Sequence, residues 1–191
     1  MEYAEKDLSI YHKLEKLKGQ WQFIKFINNP LDTKGIFKMT RSFQNSAPPE
    51  MIDRVLSPAV KNSGLPQDFE DHRWYHIPKM KDLAQYPEGT FGYEAAAFFK
   101  KNNLDENLFP KADFSSFPAY VTSRVYQSHD FWHILTGYSM ELIDELALQA
   151  FAVGQYRQPL SLLIIAGGII HILQKHPEKS AEIMNALFEG Y

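Results

Sequence analysis

The segment His129-Asp130-Phe131-Trp132-His133 concentrates the most reactive side chains of this 191-residue chain. In a helix, side chains four apart lie on one face, so two imidazoles at this spacing can grip one metal ion, with Asp130 adjacent. The chain has no cysteine, which leaves His, Asp and Glu to hold any metal and removes Cys nucleophiles and disulfide frameworks. The zinc-protease pattern needs Glu directly after the first His as its base. Asp130 stands there instead, and a metalloprotease is a weak reading. The best third ligand is Glu145, twelve residues after His133. On one unbroken helix that separation is roughly 18 Å, so the chain must turn back between them. Thr136-Gly137-Tyr138-Ser139 offers the turn, with Gly137 as helix stop and Ser139 as the next cap. An antiparallel helix pair would let Glu145 face the histidines. Two His and a carboxylate leave coordination positions open for water, oxygen or substrate, which suits catalysis better than structure. The same pair can also be read as hydrogen-bonded core histidines.

Other titratable residues carry weaker signals. His72 and His76 also stand four apart, but they flank Trp74 and precede Pro78 in irregular sequence; they read as surface histidines before an accessory ligand pair. His171 reads as a core histidine and His176 as a partner for a helix C-terminus. Arg124 lies about 140° round the helix from His129, so it either positions a carboxylate or phosphate from the side or pairs with Glu141 or Asp144. A His-Asp phosphohydrolase would have to conscript His72 and Asp144, in an unsuitable order and helix setting.

Positioning these residues requires helices. Leu8, Tyr11, Leu14, Leu17, Trp21 and Ile24 recur three or four apart, the spacing of an amphipathic first helix that Asn28-Asn29-Pro30 stops. Asp32-Thr33 can cap a second helix carrying Ile36, Phe37 and Phe43, and Pro48-Pro49-Glu50 suits the start of another with Met51, Ile52, Val55 and Leu56 inside. Residues 62–87, punctuated by Gly64, Pro66, Pro78 and Pro87, read as loops and short helices. A turn at Pro87-Glu88-Gly89-Thr90 leads into a helix over 91–101. The long helix bearing the histidines starts near Ser115-Ser116-Phe117-Pro118, and further helices are expected over 140–156, over 159–175 and after Pro177. No segment shows strand alternation bounded by hairpin turns. The expected fold is all-α, a single-domain multi-helix bundle over residues 1–191.

Composition narrows the partners. Twenty Lys and Arg against 23 Asp and Glu give a net charge of −3, without the basic balance of a nucleic-acid binder. Fourteen Phe and ten Tyr are a generous aromatic share, enough to enclose something large and apolar. The longest apolar run, Leu160 to Leu173, is too short to span a bilayer. The N-terminus shows neither a secretory nor a transit pattern, from which a cytoplasmic start is expected.

The spaced string Tyr120-Val121-x-x-Arg124, His129-Asp130-x-x-His133, Gly137 and Glu145-Leu146-Ala147-Leu148-Gln149-Ala150-Phe151 resembles the Coq-four family of ubiquinone biosynthesis proteins. That family's signature is His-Asp-x-x-His, eleven residues, then Glu, and all four positions are kept. Leu83, Pro87-Glu88-Gly89-Thr90-Phe91-Gly92 and Ala97-Phe98 resemble its Leu-Pro-x-Gly-Ser/Thr-Leu-Gly segment, so the likeness covers about residues 80–160. Phe91 replaces the family's Leu, Asp144 stands where Gly precedes the Glu, and residues 1–75 carry no family signal.

The resemblance implies a divalent metal, zinc by family likeness and otherwise iron or manganese, at His129, Asp130, His133 and Glu145. It implies oxidative decarboxylation of a polyprenylated quinone precursor, a hydroxyl replacing the carboxylate at ring carbon 1, and a role in organising the pathway's other enzymes. Asp130, His133 and Glu145 are then the catalytic candidates, and Arg124 and Trp132 the substrate contacts. The expected partners are the prenylated precursor, other quinone-pathway enzymes, the inner face of a membrane bound peripherally, and a second copy of the chain; no nucleic acid is expected. An apolar channel for the isoprenoid tail is expected beside Gly167-Gly168, whose lack of side chains opens space. A non-catalytic isoprenoid-binding scaffold with a structural metal is the alternative.

Overall fold

The computed structural model describes residues 9–47, 58–106, 111–157 and 159–191. Among these the regular structure is helical, in the order α1 (Ile10–Asn28), α2 (Thr33–Asn45), α3 (Pro58–Lys61), α4 (Leu65–Asp71), α5 (Met80–Leu83), α6 (Phe91–Lys101), α7 (Phe117–Thr136), α8 (Leu142–Tyr156), α9 (Pro159–Lys175) and α10 (Ser180–Gly190). A 3₁₀ turn, Pro177–Lys179, joins the last two. The helix expected after Pro49, with Leu8 of the first apolar series, lies outside the described residues. No described helix is long and apolar enough to cross a membrane.

Local chemistry sets most helix ends. Asp32, Thr90 and Ser116 each accept a hydrogen bond from a first-turn backbone N–H, satisfying donors that have no partner within the helix. Pro118 occupies the first turn of α7, where its missing N–H costs nothing. Gly137 ends α7 at φ +79°, a left-handed conformation that a Cβ disfavours. One boundary differs from the sequence reading. Ser139 does not cap α8: its backbone N–H donates to Asp144 Oδ2 at 2.8 Å, and α8 begins at Leu142 with Glu141 as its cap residue. Asp144 thereby closes the turn over its own helix start, displacing the cap by two residues.

Trp132, Leu148 and Ala152 pack α7 on α8, the two site helices, and two further apolar centres join the helices around them. Phe26, Met39 and Ile164 join α1, α2 and α9, with Phe23, Ile36, Phe43, Leu160 and Leu163 around them. Leu146, Ile172 and Ile183 join α8 to α9 and α10. The glycines of α9 are contact points: a Cβ at Gly167 would stand 2.5 Å from the Phe26 ring, and one at Gly168 2.5 Å from Leu146 Cδ2. The space beside each glycine therefore holds Phe26, Phe23 and Leu146.

The first helix is turned over relative to its apolar pattern. Glu15, Gly19 and Phe26 form its buried side, with Gly19 against the Phe43 ring and Glu15 closed by Lys18 Nζ at 2.6 Å. Ile10, Tyr11, Leu14, Leu17, Trp21 and Ile24 all face solvent, each at least half exposed. Gly19 lets α2 approach on the side the aliphatic residues do not occupy, and the aromatic pair Phe23 and Phe26 anchors α9 there.

Candidate metal centre

His129 and His133 stand on the last two turns of α7, and the Gly137 turn sends α8 back so that Glu145, in its first turn, meets both. Glu145 Oε1 lies 3.2 Å from His133 Nε2 and 3.4 Å from His129 Nε2. Ligand atoms of His129, Asp130 and His133 also stand within 4.8 Å of one another. The His pair thus belongs to two carboxylate-bearing sets, one closed by Asp130 from the same helix and one by Glu145 from the next.

The second partner of His133 fixes its chemistry. Its Nδ1 lies 3.1 Å from the backbone carbonyl of Tyr138, which can only accept, so Nδ1 carries the proton. In the neutral ring Nε2 is then a lone pair facing a carboxylate oxygen. Two acceptors at that distance repel unless the ring is protonated or a cation lies between them. Two ligand atoms each about 2.1 Å from a tetrahedral ion stand about 3.4 Å apart, which the observed separations match. The donor set therefore fits a divalent cation, with the Tyr138 carbonyl as the outer partner that orients a ligating imidazole.

The electrostatics agree. Burial pushes the Glu145 carboxyl up, but the charge of His129 and hydrogen bonding to both imidazoles outweigh it and hold the group well below the usual carboxylate range. Burial lowers His129, yet the charge and hydrogen bond of Glu145, helped by Asp130, leave it raised. Asp130 is raised by burial and by repulsion from Glu145, against the pull of both histidines. Glu145 is thus the committed anion, and Asp130 is the carboxylate closer to taking a proton.

Aromatic rings wall the site. Phe98 of α6 stacks on His133 with centroids 5.6 Å apart, and Phe131 touches Phe91 and Phe99. Trp132, a substrate contact in the sequence reading, is buried at 8% exposure, stacked on Tyr156 and edge-on to Phe151 and His129. Its ring supports His129 from the core side. Arg124 pairs with neither Glu141 nor Asp144. Its guanidinium sits 4.4 Å over the Trp74 ring and donates to the Trp74 carbonyl and to Gln127 Oε1, because the chain before α5 crosses α7 there. Tyr120 and Gln127 hold the same segment through the Trp74 and His76 carbonyls. Among the described residues Arg124 Nε is buried without a partner.

His72 and His76 are exposed and take no part in the cluster; His72 lies 3.8 Å from Asp68. His171 Nδ1 donates to the Ile27 carbonyl at 2.6 Å, bracing α9 on the end of α1, while His176 lies 3.4 Å from Glu178. An open cleft of about 420 Å³ lined by His76, Pro78, Lys79, Asp82, Leu83, Gln85 and Tyr86 is separate from the four cluster residues. Sequence spacing did not reveal the Tyr138 carbonyl. The signal was the glycine stop four residues after His133, which folds the following carbonyl back over the preceding turn.

A helical protein with a two-histidine, two-carboxylate cluster in a helix hairpin is the class these features define. Residues 75–188 match the family model described as Coenzyme Q (ubiquinone) biosynthesis protein Coq4, and the chain belongs to that family. It is 40% identical over 85 residues to the mitochondrial ubiquinone biosynthesis protein COQ4 homolog of Trypanosoma brucei brucei, covering 44% of this chain and 34% of that protein. It is 30% identical over 96 residues to mitochondrial COQ4 of Saccharomyces cerevisiae strain RM11-1a, covering 49% of this chain and 28% of the relative. The chain thus aligns with about a third of the length of these relatives. The crystal structure of a Nostoc punctiforme PCC 73102 protein assigned to ubiquinone biosynthesis superposes with TM-score 0.75 at 23% identity, covering 92% of this chain and 82% of that one, which shows the shared fold.

Proposed function

We propose that the protein catalyses oxidative decarboxylation of a polyprenylated quinone precursor at a divalent-metal site held by His129, His133 and Glu145, with Asp130 as a fourth ligand or proton acceptor. The observation that carries this reading is the single carboxylate oxygen of Glu145 facing the Nε2 atoms of both histidines while His133 Nδ1 is committed to the Tyr138 carbonyl. A bound divalent ion supplies Lewis acidity toward the precursor's carboxylate and phenolate oxygens, and the donors suit zinc, iron or manganese. Asp130, raised and beside the histidines, is the group suited to hold a proton during the reaction. Phe91, Phe98 and Phe131, backed by the buried Phe99, form an apolar side on which the aromatic ring and the start of the prenyl tail can lie. In the reaction the ring–carboxylate bond breaks and carbon dioxide leaves; one atom of dioxygen becomes the ring hydroxyl and the other leaves as water, with two electrons and two protons supplied by an external two-electron reductant such as a reduced nicotinamide or flavin. The family's place in coenzyme Q biosynthesis supports the substrate class, the other enzymes of the pathway as partners, and work at a membrane surface, where a long prenyl tail resides.

Metal analysis of the purified protein and of His133→Ala and Glu145→Ala, combined with an assay on a carboxylated prenyl-phenol, tests this. About one ion per chain, lost in both variants together with turnover, is expected. A wild type that takes up no metal on reconstitution overturns the proposal. The burial of His133, at 1% exposure, favours a second reading in which the ion only fastens the hairpin of an isoprenoid-binding scaffold. That reading predicts loss of thermal stability on metal removal and no turnover by the loaded protein.

A further inference from the structure

The outward face of α1 has a charge pattern that selects its partner. At about 100° per residue, Ile24, Leu17, Ile10, Trp21 and Leu14 fall in that order within an arc of about 80°. All five are between 50% and 79% exposed, so among the described residues nothing covers this arc. Lys13 and Gln20 border one side of it, and Lys25 and Lys18 the other, with Tyr11 beyond Lys18. Lys25 Nζ lies over the Trp21 ring, 5.6 Å from its centroid, at the edge of the apolar strip. The helix has four lysines and a single acid, Glu15, which is on the opposite, buried side. The chain as a whole carries a charge of −3, so α1 is a basic feature on an acidic protein.

We propose that α1 docks the protein on an anionic lipid bilayer, lying in the plane of the surface. An aliphatic strip with one tryptophan, bordered on both sides by lysines, buries its apolar side at the acyl boundary while the lysines reach lipid phosphates with their stems in the apolar layer. From Ile10 to Ile24 the strip runs about 21 Å, enough to fix the helix parallel to the surface. A second copy of the chain is the poorer occupant. Two such faces packed together bring lysine borders against lysine borders; Glu15 pairs with Lys18 from behind, and Lys13 and Lys25 have no acid on the arc to neutralise them. The negative remainder of the protein would be repelled by the same bilayer, so the helix also sets the orientation. This inference gives the membrane-surface reading above a face and a lipid charge; it uses no property of the metal site, and α1 lies outside the family-matched residues 75–188.

Sedimentation with vesicles of phosphatidylcholine, with and without phosphatidylserine, tests it on the full chain. The wild type is expected to bind, and to bind more tightly when phosphatidylserine is present. Leu17→Glu/Trp21→Glu should abolish binding, and Lys13→Gln/Lys25→Gln should weaken binding to the anionic vesicles about 30-fold, near fivefold per lysine. Lys100→Gln/Lys101→Gln, an equal charge change on the exposed end of α6, should leave binding unchanged. Circular dichroism on each variant checks folding, which these solvent-facing positions should preserve. If Leu17→Glu/Trp21→Glu binds like wild type, the α1 assignment fails while the membrane reading stands. If the wild type binds no vesicle, both fail. A wild-type dimer that the Leu17→Glu/Trp21→Glu change splits, with no vesicle binding by either protein, overturns the proposal in favour of self-association.

Discussion

Replacing Glu145 by glutamine keeps the shape of the side chain and removes the charge that both imidazoles face. One oxygen serves His133 at 3.2 Å and His129 at 3.4 Å, so the change touches every close contact between the histidines and α8 in the cluster. With free zinc or iron at about a hundredfold over the wild-type Kd, binding to the folded state alone adds about 2.7 kcal/mol. For a chain of this size 1 kcal/mol moves Tm by about 2–4 °C, so metal should raise the wild-type Tm by about 5–11 °C. Loss of an outer-shell partner already costs about 10–100-fold in metal affinity, and loss of a ligand should cost at least the upper figure. At the same metal concentration the variant is then half-saturated or less, its gain is about 0.4 kcal/mol, and its Tm rises by about 1–2 °C. The metal-free proteins add a second reading. Glu145 is depressed and His129 raised, so their ion pair stabilises fully between the ordinary values of 4.5 and 6.5; it is lost as pH falls through the depressed carboxyl and as it rises through the raised imidazole. The wild-type advantage without metal should therefore narrow as pH rises past that window. Differential scanning fluorimetry with and without metal measures both effects. Equal metal-induced shifts in wild type and Glu145→Gln would refute the assignment of Glu145 as a ligand.

Three further outcomes follow from particular contacts. Gly168→Ala drives a methyl to 2.5 Å from Leu146 Cδ2, next to Glu145 in a fully buried position, and should cost about 1–3 kcal/mol by overpacking, read as a lower Tm. Gly137→Ala meets no neighbour within 4 Å among the described residues but must hold φ +79°, so it should cost only about 1 kcal/mol, measured by urea unfolding with an unchanged m-value. Tyr120 and Tyr126 are both pushed up to about 12, first of all by burial, with Asp68 adding to the effect at Tyr120. Their protonated forms stabilise the fold at and below the ordinary tyrosine value of 10, and that stability is lost as pH rises through about 12; a phenolate absorbance titration should show a group of late tyrosines, Tyr120 and Tyr126 with Tyr75, Tyr138 and Tyr156, that ionise earlier in urea.

Helix ends were legible because capping is local. Asp32, Thr90 and Ser116 need only the backbone three residues ahead, and Gly137 needs only its own missing Cβ. Ser139 misled because Asp144, already in the next helix, took its backbone N–H. The turn between His133 and Glu145 could be read from Gly137, and with it the direction of the return. Arg124 could not be placed, since its partners arrive from Trp74, fifty residues upstream, where no periodicity points to α7.

The sequence by itself determined the helices, their stops, the His129 and His133 face and the family likeness, because each depends on contacts within a turn or two or on a fixed spacing of residue types. Only the tertiary structure decided that one oxygen of Glu145 meets both imidazoles, that the Tyr138 carbonyl orients the His133 ring through Nδ1, and that α1 presents its aliphatic side to solvent. An apolar stripe fixes where a helix can be buried, but the neighbour chooses the side. For α1 the close approach at Gly19 and the packing of Phe23 and Phe26 on α9 prevailed over the wider stripe on the other side.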